Sequence, residues 1–232
     1  MTIEDKNIND ISKDIYDKTV TCPVCGNVFK TKVVKVNSPR INSKDSDFFI
    51  RYTGINPYLY EIWTCNECGY SALKSDFPKI KSFQKDLVKN VITPKWKPRI
   101  YPEIMTVDIA IEKYKLALLN AVTYEGKKSS IGMLLLKIAW MYRLKEDTKN
   151  ENNYLDEALK TLSEAYSVEN FPICGLSRDA FTYLLGDLNR RLGNNSDALR
   201  WYSQVITTVG ATPRIKDLAR NGRDLIKESS YS

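Results

Sequence analysis

A chain of 232 residues with 43% apolar side chains and a formal net charge of +7 can bury a core and has an ordinary globular composition. No segment approaches the roughly 18 unbroken apolar residues of a membrane span; the most apolar stretch, Ile131 to Tyr142, is interrupted by Lys137. Histidine is absent, which excludes Ser-His-Asp and Cys-His catalysis and His-ligated metals, and leaves carboxylates, Lys, Tyr, Cys174 or a metal for any chemistry.

The first residues, MTIEDKNINDISKD, are polar and acidic rather than patterned as a signal peptide, so a cytoplasmic protein is expected. The charge is unevenly placed. Residues 1–100 carry 17 Lys and Arg against 11 Asp and Glu, whereas residues 101–232 carry 18 against 17. Within the first part, Lys74 to Arg99 holds eight basic and two acidic residues.

Two C-x2-C pairs, Cys22/Cys25 and Cys65/Cys68, are separated by 39 residues. Each spacing suits a knuckle, a tight turn that aims two sulfurs and backbone N–H groups at one point, and two knuckles supply four thiolates to a tetrahedral ion. Pro23, Gly26 and Gly69 fit such turns: proline fixes φ, and glycine takes the positive φ that follows a knuckle. Zinc is the default ion for four sulfurs, with iron the alternative because CNECGY also looks like a rubredoxin knuckle. A reducing compartment disfavours disulfides between the same residues. A closed four-sulfur site has no open position, so its expected role is structural. Cys174, beside Pro172 and Gly175 at an expected helix boundary, reads as a half-buried small residue rather than a nucleophile.

Between the pairs, residues 28–36, 48–54 and 58–65 read as strands, joined by a turn-rich loop at 37–47 and a turn at Asn56-Pro57. The loop carries Arg40, Asp45 and Asp47, whose charges are candidates for binding or acid–base work, although Asp and Ser in a turn more often cap their own backbone. Tyr52, Tyr58, Tyr60 and Trp63 can stack on nucleic acid, but in a domain with little core they serve more often as that core.

Pro78 opens a helical stretch with Ile80, Phe83, Leu87, Val88 and Val91 on one face and lysines opposite. TPKWKPRIYPEI (93–104) is too rich in proline for a helix and reads as an extended connector. From Thr106, an expected N-cap, the rest is helical. Three segments repeat one pattern of a small residue, a large one four later and an apolar one seven later: Ala110/Tyr114/Ala117, Ala158/Leu162/Ala165 and Ala198/Tyr202/Val205. FTYLLGDLNRRLGN, before the last segment, reads as the first helix of a tetratricopeptide hairpin, with Gly186 at the close crossing and Gly193 at the turn. Offsets of 48 and 40 residues exceed the usual repeat of about 34. A degenerate array of about three helical hairpins is expected. Such arrays bind peptides on a concave face, and Tyr142, Arg143, Asn189, Arg190 and Trp201 are candidate groove residues.

The motifs VTCPVCGNVFKTKVVKV, RINSKDSDFF and NPYLYEIWTCNECGYSALKSDF together resemble the bacterial domain of unknown function 2225 family, from about Thr19 to Phe77 at motif level and more weakly through the helical half. The resemblance implies a zinc-ribbon N-terminus on a tetratricopeptide-like C-terminus and implies no activity. The expected fold is therefore α+β: a ribbon at 19–77, a basic helix and connector at 78–104 and a helical-hairpin array at 105–232. The expected role is a non-enzymatic zinc-binding adaptor whose partner is a protein or peptide and not a membrane. Nucleic-acid binding through the basic ribbon face and Lys74–Arg99 is the alternative. Carboxylate-based catalysis at Arg40, Asp45 and Asp47, and redox sensing by thiolate oxidation with zinc release, stand behind both.

Overall fold

A computed structural model describes residues 11–229; the acidic stretch at 1–10 lies outside the described residues. Small antiparallel sheets occupy the N-terminal region and helices the remainder, which makes the chain α+β with a helical C-terminus. The chain divides into two compact units. The first comprises residues 11–43, 50–126 and 141–146, and the second comprises 44–49, 127–140 and 147–229. No helix among the described residues is long and apolar enough to cross a membrane.

The first unit is built on hairpins. β1 (Ile15–Thr21) pairs with β2 (Val28–Val34) in a register running from Ile15 opposite Val34 to Thr21 opposite Val28. β3 (Arg40–Lys44) pairs with β4 (Ile50–Thr53), and the tip between them, residues 44–49, belongs to the second unit. β5 (Ile62–Thr64) pairs with β6 (Ser71–Leu73), Thr64 lying opposite Ser71. The knuckles close the first and third hairpins.

Three details depart from the sequence pattern. All five residues of β3 are exposed, so the strand is made by backbone pairing alone and leaves no hydropathic trace in residues 37–47. The strand expected over 58–65 begins only at Ile62. Pro57–Tyr60 instead forms a 3-10 turn, because the Asn56 side chain accepts the Tyr58 N–H at 3.0 Å and Pro57 presets the first φ. The helix after Pro78 is short, α1 (Ser82–Leu87), and continues as a π turn over Val88–Ile92. That extra residue per turn directs Ile92 inward beside Val88 and leaves Val91 exposed; Phe83, in the α turn before it, is exposed as well.

The core beneath the knuckles gathers Val24, Trp63, Tyr70, Ala72, Phe77, Val88 and Ile92 with three of the cysteines. Phe77 is its hub, meeting Phe29 at 6.0 Å, Trp63 at 5.8 Å and Tyr70 at 4.8 Å between ring centres. Tyr58, Tyr60 and Trp63 are buried, so these aromatics are core and are not displayed for stacking. α2 (Val107–Thr123) begins at Thr106, whose hydroxyl accepts the Ile109 N–H. Its buried face, Ala110, Tyr114 and Ala117, packs on β5 and β6. The first of the three alanine segments therefore serves the ribbon unit: a small-large-small face fits a sheet as readily as a helix.

The second unit is helical. α3 (Lys128–Leu144, of which residues up to Trp140 belong here), α4 (Thr148–Val168), α5 (Arg178–Arg191), α6 (Asn195–Thr207) and α7 (Pro213–Ser229) follow in order with short connections. Ala158, Leu162 and Ala165 on α4 and Ala198, Tyr202 and Val205 on α6 are all buried. Glycines set the crossings. A Cβ on Gly132 would lie 2.7 Å from Leu162, and one on Gly186 would lie 2.9 Å from the Tyr202 ring. Tyr202 is pinned from the other side as well, since a Cβ on Gly222 of α7 would approach it to 2.4 Å. Gly193 takes φ +79° at the α5–α6 turn, as the pattern required.

Gly222→Ala in a helix interior would ordinarily gain about 1 kcal/mol. Here the methyl has no room against a ring held on both faces, and the expected net effect is a loss of about 1–2 kcal/mol. Urea unfolding of the full chain measures it, and an unchanged or raised midpoint would refute the tight crossing.

Candidate metal centre

The two knuckles have the same hydrogen-bond pattern. Cys22 N–H donates to Asn27 C=O at 2.8 Å and Gly26 N–H to Cys22 C=O at 2.9 Å; Cys65 N–H donates to Tyr70 C=O at 2.8 Å and Gly69 N–H to Cys65 C=O at 3.0 Å. Gly26 and Gly69 close the turns with φ +79° and +74°. Open space surrounds Gly26, whereas Gly69 is constrained twice, because a Cβ there would lie 2.7 Å from the Trp96 ring.

The second knuckle is clasped from outside by the proline-rich segment. Thr93 Oγ1 donates to Cys68 C=O at 3.0 Å, Trp96 Nε1 to Asn66 C=O at 2.7 Å, and Arg99 N–H to the Asn66 side chain at 2.7 Å. From α2, Asn120 Nδ2 reaches Gly69 C=O at 3.2 Å. The connector is thus a brace that orients Cys65 and Cys68, a role that composition alone does not reveal.

These turns bring Cys22, Cys25, Cys65 and Cys68 together, their sulfurs all within 4.8 Å of one another. Cys22 and Cys68 lie 3.6 Å apart, as do Cys25 and Cys65. A tetrahedral ion with sulfur at about 2.3 Å requires S···S edges of about 3.8 Å, so the set fits such an ion. Three of the cysteines are buried and Cys25 is exposed.

Electrostatics favour the same conclusion. Cys65 is held below the ordinary thiol range because it accepts hydrogen bonds from Cys22 and Cys68. Cys22 is pushed up to about 12, first by its bond to Cys65, and Cys68 is raised, first by its bond to Cys22. A divalent cation removes the opposition to the other ionisations, and four ionised sulfurs are its complete ligand set.

The remaining candidates are distributed. Tyr142 and Arg143 belong to the first unit, where Lys115 donates to the Tyr142 hydroxyl at 2.8 Å. Asn189, Arg190 and Trp201 belong to the second, and buried Asn189 spends its amide on Leu185 C=O at 2.8 Å. Arg40 is exposed on β3 and Asp45 is half-buried in the hairpin tip. Cys174 is exposed, not half-buried, in a turn where it and Gly175 both take positive φ.

Asp47 and Arg190 meet in a buried ionic network inside the second unit. Asp47 and Asp187 are fully enclosed. Trp140 Nε1 donates to Asp47 at 3.0 Å, and the Arg191 guanidinium stands 3.5 Å from the same carboxylate. Asp187 accepts from Arg190 at 2.9 Å, from Arg191 at 3.0 Å and from the Tyr202 hydroxyl at 3.1 Å. Both arginines also reach the Ser46 hydroxyl, and Tyr183 donates to Ser46 C=O at 2.9 Å. Burial is the largest single influence on Arg190 and lowers its affinity for a proton, but the charge of Asp187, the hydrogen bond to it and the nearby Tyr202 hydroxyl together outweigh burial and raise it. Two acids and two arginines compensate one another and lock residues 44–49 in place. The i, i+3 and i, i+4 spacing of Asp187 to Arg190 and Arg191 is visible in DLNRR; Asp47 as the distant partner of Arg191 is not.

Two outcomes follow. Metal analysis of the full chain purified under reducing conditions should give one ion per molecule. Cys65→Ser should abolish that and Cys174→Ser should leave it intact; equal metal content in both variants would exclude the site. Asp187→Asn should remove the enclosed carboxylate that two half-buried arginines share and cost about 3–5 kcal/mol in urea unfolding, and a loss below about 1 kcal/mol would show the network to be dispensable.

The family model described as "Uncharacterized protein conserved in bacteria (DUF2225)" matches residues 15–226. Searches of the curated proteins and of the solved structures find no match. The matched span takes in both knuckles, the brace and the second unit's helices as far as residue 226 of the last, and the chain belongs to this bacterial family, domain of unknown function 2225.

Proposed function

We propose that this chain is a non-enzymatic, zinc-binding adaptor of the cytoplasm, with a zinc ribbon that holds the first unit together and a tetratricopeptide-like second unit that binds a protein segment. The observation that carries the structural role of the metal is that four cysteine sulfurs complete a tetrahedral shell and leave no position for substrate or water. Zinc is preferred to iron because it is the usual ion of paired knuckles and needs no redox partner. Reduced thiols are in keeping with the cytoplasm.

Support for peptide binding comes from an aromatic cluster on the second unit. Tyr166 of α4 meets Phe171 edge-on at 5.6 Å and Trp201 of α6 at 5.2 Å. All three rings are half-buried, and the exposed Arg178 guanidinium lies over Phe171 at 4.3 Å. Rigid aromatic surface beside an exposed cation suits a segment that places an acidic side chain next to an apolar one.

Nucleic-acid binding has one specific observation in its favour: Lys89, Lys95 and Lys97 are exposed and have no ion-pair partner among the described residues. Against it, Tyr58, Tyr60 and Trp63 are buried and not displayed for stacking, and Tyr52 alone of the four is half-buried. Catalysis at the hairpin tip has less support, since Asp47 is enclosed and bonded to Trp140 and Arg191.

Co-purification of the full chain from a bacterial lysate, followed by titration with the purified partner, tests the adaptor reading. Trp201→Ala should weaken the complex at least tenfold, in keeping with an aromatic anchor worth more than about 1.4 kcal/mol. A salt-sensitive nucleic acid as the sole companion, or a partner indifferent to Trp201, would refute it.

A further inference from the structure

Lys113 is an unusual residue for its position. It sits on the buried face of α2, three residues after Ala110, and is 4% exposed. Among the described residues its ammonium has no hydrogen bond and no acidic partner; the interaction it makes there is with the face of the Tyr101 ring, 5.0 Å away. Burial pushes it down to about 8. A lysine stem is long enough to carry its charge to solvent, and even the half-buried Arg190 and Arg191 share an acid, Asp187. An uncompensated buried ammonium opposes folding, so its retention needs a reason.

Lys113 lines a cleft of about 400 Å³ in the first unit, a size typical of sites for small ligands. Two other cations there, half-buried Lys32 and exposed Arg99, are already neutralised. Lys32 pairs with Asp17 at 3.0 Å and with Glu103 at 2.6 Å, and Arg99 pairs with Glu112. Lys30 is at the exposed rim. Apolar surface comes from Phe29, Ile100, Pro102 and Met105. The cleft therefore combines apolar walls with one unpaired, desolvated positive charge, and it lacks the stripe of cations that would track a polymer backbone.

We propose that this cleft binds a small oxyanion, a phosphate monoester or a carboxylate on a flat apolar body, with the Lys113 ammonium as its counter-ion. Desolvation already suffered by the lysine makes the contact stronger than one at the surface, because the anion meets a charge that water does not shield. The reading is independent of the adaptor role, since it concerns different residues in the other unit.

Calorimetric titration of the metal-loaded full chain with phenyl phosphate, benzoate and, as a neutral control, benzyl alcohol tests it. One of the two anions should bind with 1:1 stoichiometry, and which one does so identifies the headgroup; benzyl alcohol should not bind. Lys113→Met should weaken anion binding at least tenfold while the variant melts at the same or a higher temperature, because the change removes an uncompensated buried charge. Lys30→Met should change the affinity less than threefold. Should Lys113→Met fail to fold, acylation of Lys113 in the unaltered chain, followed by mass spectrometry, gives the answer: the bound anion should slow it at least tenfold. Absence of binding by both anions at millimolar concentration, undiminished binding by Lys113→Met, or acylation unaffected by the anion would overturn the proposal.

Discussion

Four sulfurs from two turns 39 residues apart converge on one point, and the rest of the first unit is arranged around that convergence. The three hairpins are two-stranded and separate, and an isolated two-stranded hairpin is marginal in water. Their stability must come from what the knuckles and the core beneath them share. In comparable small sites the metal contributes on the order of 10 kcal/mol of folding free energy, similar to the whole stability of a typical domain. Phe77 and its three ring contacts extend that anchor into a core, and the brace at Thr93, Trp96 and Arg99 fixes the backbone of the second knuckle from outside. A thiolate turn is steadied by backbone N–H groups aimed at its sulfur, and both knuckles have them: those of Val24 and Cys25 at Cys22, and those of Glu67 and Cys68 at Cys65.

The second unit is organised differently. Its helices approach closely because glycine stands where Leu162 and Tyr202 need room, so the large residue of each repeat pattern fills a notch rather than a gap. Tyr202 links this packing to the polar interior: its ring lies between Gly186 and Gly222 while its hydroxyl donates to Asp187. Through Asp187, Arg190, Arg191 and Ser46, the same network holds the tip of the β3–β4 hairpin. A buried network of this kind contributes little net stability compared with an apolar core. Breaking it is costly, and its geometry accepts one arrangement of the tip.

Chemistry that depends on residue type at short spacing was legible in the chain. The two C-x2-C pairs, the glycines that follow them, the Thr106 cap and the small-large-small helix faces all appear in the folded protein where the spacing put them. Lys113 left a trace as well, as a lysine three residues after Ala110 on a face that is otherwise buried. Features made by backbone geometry were not legible. β3 has five exposed side chains and is defined only by its partner strand, and the π turn at Val88–Ile92 exchanges which apolar residues face inward.

The sequence by itself determined the ligand set for a metal, the α+β order of elements and the inward faces of the helices, because each rests on periodicity or on donor spacing within a few residues. Tertiary structure alone decided the partners. Tyr114 and Ala117 pack against strands, Asp47 meets Arg191 more than 140 residues away, and Lys113 meets no acid among the described residues. Local rules state which group a residue carries and which way it faces. What it faces depends on how distant segments are brought together, and no local spacing encodes that.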